Sequence, residues 1–410
     1  MISKSITTMA NTILTRSPLR LSAKKVESIN GWRRGVTGIS SVNALTTTMQ
    51  LQEIELAWND LYRRAAMPLA SLSFEWVMTA WRCIAEPAGA RLFVVTVRAR
   101  DGRLLLIWPM FIERYHRLWR RAHQICTPWD YNGVLVDSEE DACHLIGLAW
   151  RTLARIRVAD LITARLVPRA SSLYNWLAAK RAAVTDETTI HTVNWQGVPD
   201  WHSYYRGLGH RGEWDRLERR LGDRGRLEIT VDAKEAARAQ RWMLEQKRLW
   251  LQCRGKSSDW LHTAGYETFL LESLRSVRTS ARIVMFTLAL EGQIIAANAA
   301  LVDRHRLLGH HMAFDPAFRK YSPGVLLMRH VLKWAFERRL AVDFGDGEQS
   351  CKRTLANSSY DTADFAFTVD PWGRAHEVLR KVIRCWKQRN AHLKVRARSR
   401  SSGVDESSSA

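Results

Sequence analysis

Residues 314–339 read FDPAFRKYSPGVLLMRHVLKWAFERR. Ahead of them, ARIVMFTLALEGQIIAANAALVDRHRLLGHHMAF (281–314) carries three strand-like apolar runs, with Glu291-Gly292 as a tight-turn pair between the first two. Behind them, AVDFGDG (341–347) is a further short strand. The stretch is therefore a crossover: strand, basic turn, helix, strand. Consecutive hairpins followed by a strand–helix–strand crossover exclude all-α and all-β architectures, and the fold class is α/β (α+β). The turn poses the functional question. Ser322 suits an N-cap, Pro323 the first helical position, and Gly324 leaves room for close approach to the backbone. A helix start presents unpaired N–H groups and about half a positive charge, and Arg319 and Lys320 stand directly ahead of it. One reading is a site for an anion. The other is a capped helix with a basic shoulder.

Working outward, the same order of elements recurs before residue 200. LQEIELAWNDLYRRA (51–65) sets Ile54, Trp58, Leu61 and Tyr62 on one helical stripe, and FEWVMTAWRCIA (74–85) is a second helix. RLFVVTVRARDGRLLLIWPMFIERY (91–115) reads as two strands around Asp101-Gly102, and YNGVLVD (131–137) as a third. A helix (141–156), a strand (160–167), a helix (171–183) and a strand (189–195) follow. The second half has helices at 233–252 and 265–277, the three strands, the crossover, a strand TADFAFTV (362–369) and a closing helix (372–390). Two lobes are expected, each a mixed, mainly antiparallel sheet flanked by helices, at 49–200 and 231–390. The arginine-rich segment 201–230 is expected to be a connecting helix whose acids Glu213, Asp215 and Glu218 either pair along the helix or leave an arginine surface facing the same anion as Arg319 and Lys320.

Length and composition bound the rest. At 410 residues the chain exceeds one ordinary core, which agrees with two lobes. A net charge of +21 favours anionic partners, nucleic acid or phosphorylated ligands among them. Six cysteines without a C-x-x-C pair argue against a zinc ribbon and a disulfide scaffold, and point to reduced thiols in a cytoplasmic setting. No apolar run approaches the roughly 20 residues of a membrane span. Residues 1–48, rich in Lys, Arg, Ser and Thr with Glu27 as the single acid, have the composition of a disordered basic arm or a transit peptide, and 391–410 that of a solvated, disordered tail.

EGQIIAANAALV (291–302), HHMAFDPAFRKYSPGVLL (310–327) and VDFGDGEQSCKRTLA (342–356), with FEWVMTAWRCIAE, VVTVRARDGRLLLIWPMFIER and DYNGVLVD in the first half, resemble the GNAT acyltransferases of the CelD-like group linked to bacterial cellulose biosynthesis, which are similar in layout to the tandem FemAB aminoacyltransferases. The resemblance spans about residues 50 to 372. It implies tandem GNAT-like lobes, with the donor site in the C-terminal one. It also implies transfer of an acyl group, usually acetyl, from acyl-CoA to an amine or hydroxyl of a small-molecule or saccharide acceptor. No metal is implied. Arg319, Lys320, Tyr321, Ser322 and Gly324 become the donor-binding candidates. Where the family carries R/Q-x-x-G-x-G/A, this chain has one glycine and a proline. The FemAB relatives use aminoacyl-tRNA instead, and a non-catalytic fold of this kind that binds an anionic polymer or nucleic acid is the second alternative.

Acyl transfer needs a base, donors for the oxyanion and a proton for the leaving thiolate. With Val342 and Phe344 facing the core, Asp343 points to the other side of its strand. Asp343 and Glu348 are the candidate bases, Lys352 a substrate clamp and Tyr360 a proton donor. His310 and His311, adjacent in a strand, are expected to face opposite ways and so not to chelate one metal. Nothing around Cys351 marks an activated thiol. Trp108 and Trp129 either pack in the core or line an acceptor cleft for a sugar.

Overall fold

The structure, a computed structural model, describes residues 38–66, 68–115, 119–125, 127, 130–231, 235–255, 259–263, 265–275, 281–347 and 350–369. Strand β1 (Ile39–Leu45) is followed by helices α1 (Thr48–Glu53), α2 (Glu55–Arg64) and α3 (Phe74–Ala80). Then come β2 (Arg91–Ala99), β3 (Leu104–Tyr115), β4 (Trp119–Gln124), the two-residue β5 (Leu135–Val136), α4 (Ala142–Ile156), β6 (Leu161–Pro168), α5 (Ser172–Ala179) and β7 (Ala183–Val193). Helices α6 (Trp201–Gly207) and α7 (Arg211–Gly222) lead to β8 (Leu227–Val231), α8 (Ala236–Cys253) and α9 (Tyr266–Arg275). The second half continues with β9 (Ala281–Leu290), β10 (Gln293–Asp303), β11 (Arg306–Phe314), α10 (Pro323–Glu337), β12 (Ala341–Asp343), α11 (Ser350–Leu355) and β13 (Ser358–Thr368).

Three expectations are corrected. β1 lies inside the segment 1–48 that composition marks as disordered, and pairs antiparallel with β2; residues 1–37 lie outside the described residues. The third strand of the first half is β4, not 131–137, of which two residues pair with β3. β4 escapes a hydrophobicity pattern because Arg120 and Arg121 fall within it; the fold satisfies them with Asp160 and Glu113. The connector is two helices and the start of a strand rather than one helix. The closing helix at 372–390 and the tail 391–410 lie outside the described residues.

All described strands form one sheet in the order β1-β2-β3-β4-β6-β13-β7-β12-β11-β10-β9-β8, with β5 beside β3. Its parallel contacts are β4 with β6 and β11 with β12, one per half. Each half gives its last strand to the other: β13 lies between β6 and β7, and β7 pairs with β12. Helices α1–α3, α8 and α9 cover one face, burying Trp58, Trp76, Met243 and Phe269. On the other face α4 and α5 bury Leu145, Ile146 and Trp176, and α10 buries Leu326, Leu327 and Val331. Each fully buried side chain of this size contributes about 1.5–3 kcal/mol. Trp108 is one of them, edge-on to Trp176 at 6.4 Å, so it is core; Trp129 lies outside the described residues.

The connector's acids pair with another helix more than with their own. Arg329 of α10 donates to Asp215 and to the Tyr205 hydroxyl, both at 2.9 Å, and to Glu218, which also bonds His330 at 2.9 Å. The His330 hydrogen bond, with Arg329 helping against partial burial, holds the Glu218 carboxyl at about 2. Because the folded value lies below the ordinary one, this stabilisation is present above the ordinary carboxylate range and disappears as pH falls toward 2. Glu218→Gln is expected to cost about 1–2 kcal/mol at pH 7 and to flatten the acid limb of a stability-versus-pH curve from urea melts.

Candidate functional site

Parallel pairing of β11 with β12 lasts for three residue pairs, Arg306–Ala341 to Leu308–Asp343. Glycines hold the strands close at the last of them. A Cβ on Gly309 would stand 3.4 Å from the Asp343 carbonyl, and one on Gly345, whose φ is +66°, would stand 2.7 Å from the Gly309 carbonyl. Beyond this point β11 runs on to Phe314 while β12 has ended, and a cavity of about 390 Å³ opens between them. Met312, Phe314, Val325, Met328, Phe344 and Leu355 supply its apolar wall. Its polar groups come from Arg319, Ser322, Asn298, Lys247, His310, His311, Asp346 and Lys352.

At one end lies the turn before α10. Arg319, Ser322 and Gly324 line the cavity, and Arg319 and Lys320 are exposed. Ser322 is not the hydroxyl cap expected. Its backbone is left-handed (φ +50°, ψ +48°) because it closes the short helical turn Pro316–Tyr321, and its side chain makes no capping bond. Val325 and Leu326 N–H groups turn back to the Ser322 carbonyl, and Pro323 has no N–H. The Gly324 amide finds no backbone acceptor among the described residues. Gly324 packs directly on β11: a Cβ there would meet Met312 Sδ at 3.2 Å. Tyr321 and Lys320 are not in the lining. Tyr321 is buried under α10, its hydroxyl accepting from Arg224 at 3.2 Å, and Lys320 lies over its ring.

The catalytic candidates separate. Lys352 lines the cavity and clamps the loop after β12, Nζ donating to the carbonyls of Gly345 (3.1 Å) and Asp346 (2.7 Å). Burial lowers its pKa, against the charge of Asp346. Asp343 and Tyr360 are together, but outside the lining: Asp343 accepts from the Tyr360 and Tyr131 hydroxyls, each at 2.7 Å, and from Gly345 N–H at 2.8 Å. Burial raises the Asp343 pKa against these donors, and raises both tyrosines, which stay protonated. Glu348 lies outside the described residues. Cys351 lines the cavity with its thiol pushed up by burial.

The structure adds residues the sequence did not reveal. His310 and His311 do not face opposite ways. Ala299 pairs with His311 and Ala300 with Gly309, so His310 is the extra residue of a β-bulge. Both imidazoles line the cavity, their centroids 4.6 Å apart. His310 meets Thr127 Oγ1 at 3.4 Å and Asp130 at 3.8 Å; His311 bonds the Tyr266 hydroxyl. Burial pushes His310 down to about 4 and His311 well below its usual value, the latter helped by His310 and Lys247. Burial pushes Asp130 up to about 6. Lys247 and Asn298 were missed because each reads as an ordinary residue of an amphipathic helix or a buried strand.

Two halves, each with three antiparallel strands followed by helix, parallel strand, helix and strand, form a tandem GNAT-like fold. Residues 209–353, which contain the cavity lining apart from Leu355, match the family model described as an acetyltransferase (GNAT) domain. The chain is similar in fold to FemX, at 12% identity and a TM-score of 0.54, over 80% of this chain and 97% of that one. A tandem GNAT protein from the clavulanic acid biosynthesis pathway aligns at 15% identity and a TM-score of 0.46, over 80% of this chain and 99% of that one. No curated protein matches the sequence. Among the described residues no helix is long and apolar enough to cross a membrane.

Proposed function

We propose that the chain is an acyltransferase that moves an acyl group, acetyl in the first instance, from acyl-CoA to an amine or hydroxyl. The observation that carries this is the cavity between the parted strands β11 and β12, which begins at the basic turn before α10. Its shape suits an extended donor. The phosphate end meets Arg319 and the Gly324 amide, where a helix start favours an anion. The arm runs along β11 past Met312, where that strand's second edge has lost its partner and offers backbone groups to amides. The thioester then lies near Gly309 and the loop held by Lys352. His310, His311 and Asp346 are the lining groups able to take the acceptor's proton. Asp343 and Tyr360 act as positioning residues that fix where β12 ends. An acceptor from cell-surface polysaccharide production is the reading that the sequence resemblance to the CelD-like group supports.

Acetyl-CoA is expected to raise the melting temperature of the full chain, by the equivalent of about 2.7 kcal/mol at a hundredfold excess over Kd, and Arg319→Ala to remove most of that shift. A second reading has its own observation: Arg211, Arg216, Arg219, Arg220 and Arg224 are exposed along and after α7, which packs beside the Pro316–Tyr321 turn. A polyanion fits such a surface. Steeply salt-dependent retention on DNA or heparin, with no response to acetyl-CoA, would establish the binder and remove the enzyme.

A further inference from the structure

We propose that the acceptor carries a compact anionic group, a carboxylate or a phosphate, received by Lys247 at the end of the cavity opposite Arg319. The proposal rests on the acyltransferase reading of this cavity and names its substrate class. Lys247 belongs to α8, whose Met243 and Leu244 pack in the core on one face of the sheet. Val325 and Met328 line the cavity from α10, on the other face. The cavity therefore passes through the sheet where β11 and β12 part, with the donor's phosphate end on one side and Lys247 on the other.

The described groups around Lys247 are short of negative charge. Among the described residues no carboxylate lies within ion-pair distance of it, while the partly buried Arg306 is paired with Asp303 and the buried Arg329 with Asp215 and Glu218. Its aromatic neighbour is Trp250, 5.7 Å from Nζ to the ring centroid. The groups sharing the lining are the neutral His310 and His311, and a second ammonium on Lys352, close enough that the two charges act on each other. Asp346 is the one carboxylate among the described lining residues, and its charge acts on Lys352. Asn298, 2% exposed, also lines the cavity with Oδ1 unpartnered, an acceptor placed for an N–H or O–H. A desolvated cation without a partner is costly, and a bound anion removes the cost. An acceptor that enters as a bare ammonium meets two like charges instead.

The test uses the full chain. With acetyl-CoA bound, so that the phosphate end is filled, succinate and inorganic phosphate are titrated against the melting temperature of the wild type, Lys247→Met and Lys247→Arg. Wild type and Lys247→Arg are expected to show a saturable rise, and Lys247→Met one about 10- to 100-fold weaker in apparent affinity. Methionine keeps the length of the chain and removes a desolvated charge, so that variant is expected to fold; arginine tests the charge independently. In a thiol-release assay, glycine is set against glycinamide, and glucosamine 6-phosphate against glucosamine. The anionic member of a pair is expected to have the lower KM in the wild type, an advantage lost in Lys247→Met. No rise with either anion in the wild type, an equal rise in Lys247→Met, or preference for the uncharged members overturns the proposal. If acetyl-CoA itself gives no shift, the donor assignment has failed instead; the same anions titrated against Arg319→Ala, with and without Lys247→Met, then still report on Lys247.

Discussion

Asp343→Ala is expected to lower the unfolding free energy by about 3–5 kcal/mol, read from chemical denaturation, and to abolish acetyl-CoA binding with it. The carboxylate is buried and accepts three hydrogen bonds, from Tyr131, Tyr360 and the Gly345 amide. Truncation leaves all three donors without their acceptor, in a place water does not reach. The donors come from separate parts of the sheet: Tyr131 from a loop of the first half, Tyr360 from β13 and Gly345 from the turn that ends β12. Losing Asp343 therefore releases the point at which β12 stops, and the parting of β11 and β12 is what makes the cavity. Asp343→Asn separates this from a role in proton transfer. The amide keeps one acceptor oxygen, and a tyrosine hydroxyl can turn to accept from the new N–H, so about 1 kcal/mol is expected. If the Asn variant keeps near-normal turnover, Asp343 positions the strand. If it folds and binds acetyl-CoA but has no turnover, Asp343 is the base after all.

What the sequence disclosed follows from which properties are local. The α10 helix, the hairpins at Asp101-Gly102 and Glu291-Gly292, and the alternation that buries Val342 and Phe344 against α10 are set by neighbours a few residues apart. The helix start at Pro323 was legible for the same reason, but the left-handed backbone of Ser322 ahead of it was not. The bulge at His310 was not, because it depends on a mismatch of count between β10 and β11 that neither strand shows alone. The exchange of β7 and β13 was hidden likewise: a strand looks the same whichever half it pairs with. Lys247 sits in LEQKRLW, which reads as a helix surface until α8 is laid over the gap between β11 and β12. Charge was also misleading at Asp215 and Glu218, whose spacing suits pairing within α7 but whose partners Arg329 and His330 are on α10.

Gly324→Leu is expected to weaken acetyl-CoA binding by about 10- to 100-fold, the effect of overfilling a packed contact, while leaving the fold intact. Position 324 lies within α10 and its φ is not positive, so a side chain meets no backbone strain. A leucine in the first turn is better for the helix than glycine by about 0.5–1 kcal/mol. That gain offsets the crowding of Met312 Sδ, 3.2 Å from the new Cβ, and of Phe314 Cδ1 at 3.5 Å. The remaining carbons of leucine have the cavity to extend into, and there they occupy the path between the phosphate end and β11. Gly324→Ala, which adds the Cβ alone, is expected to bind more weakly than wild type but better than leucine. The graded series matters because Arg319→Ala removes charge whereas this one removes space. A donor held only at the protein surface would lose affinity with Arg319 and ignore position 324. Isothermal titration of the three proteins distinguishes the cases: a leucine variant that binds acetyl-CoA as tightly as wild type would show that no donor lies between α10 and β11, and the acyltransferase reading would have to be given up.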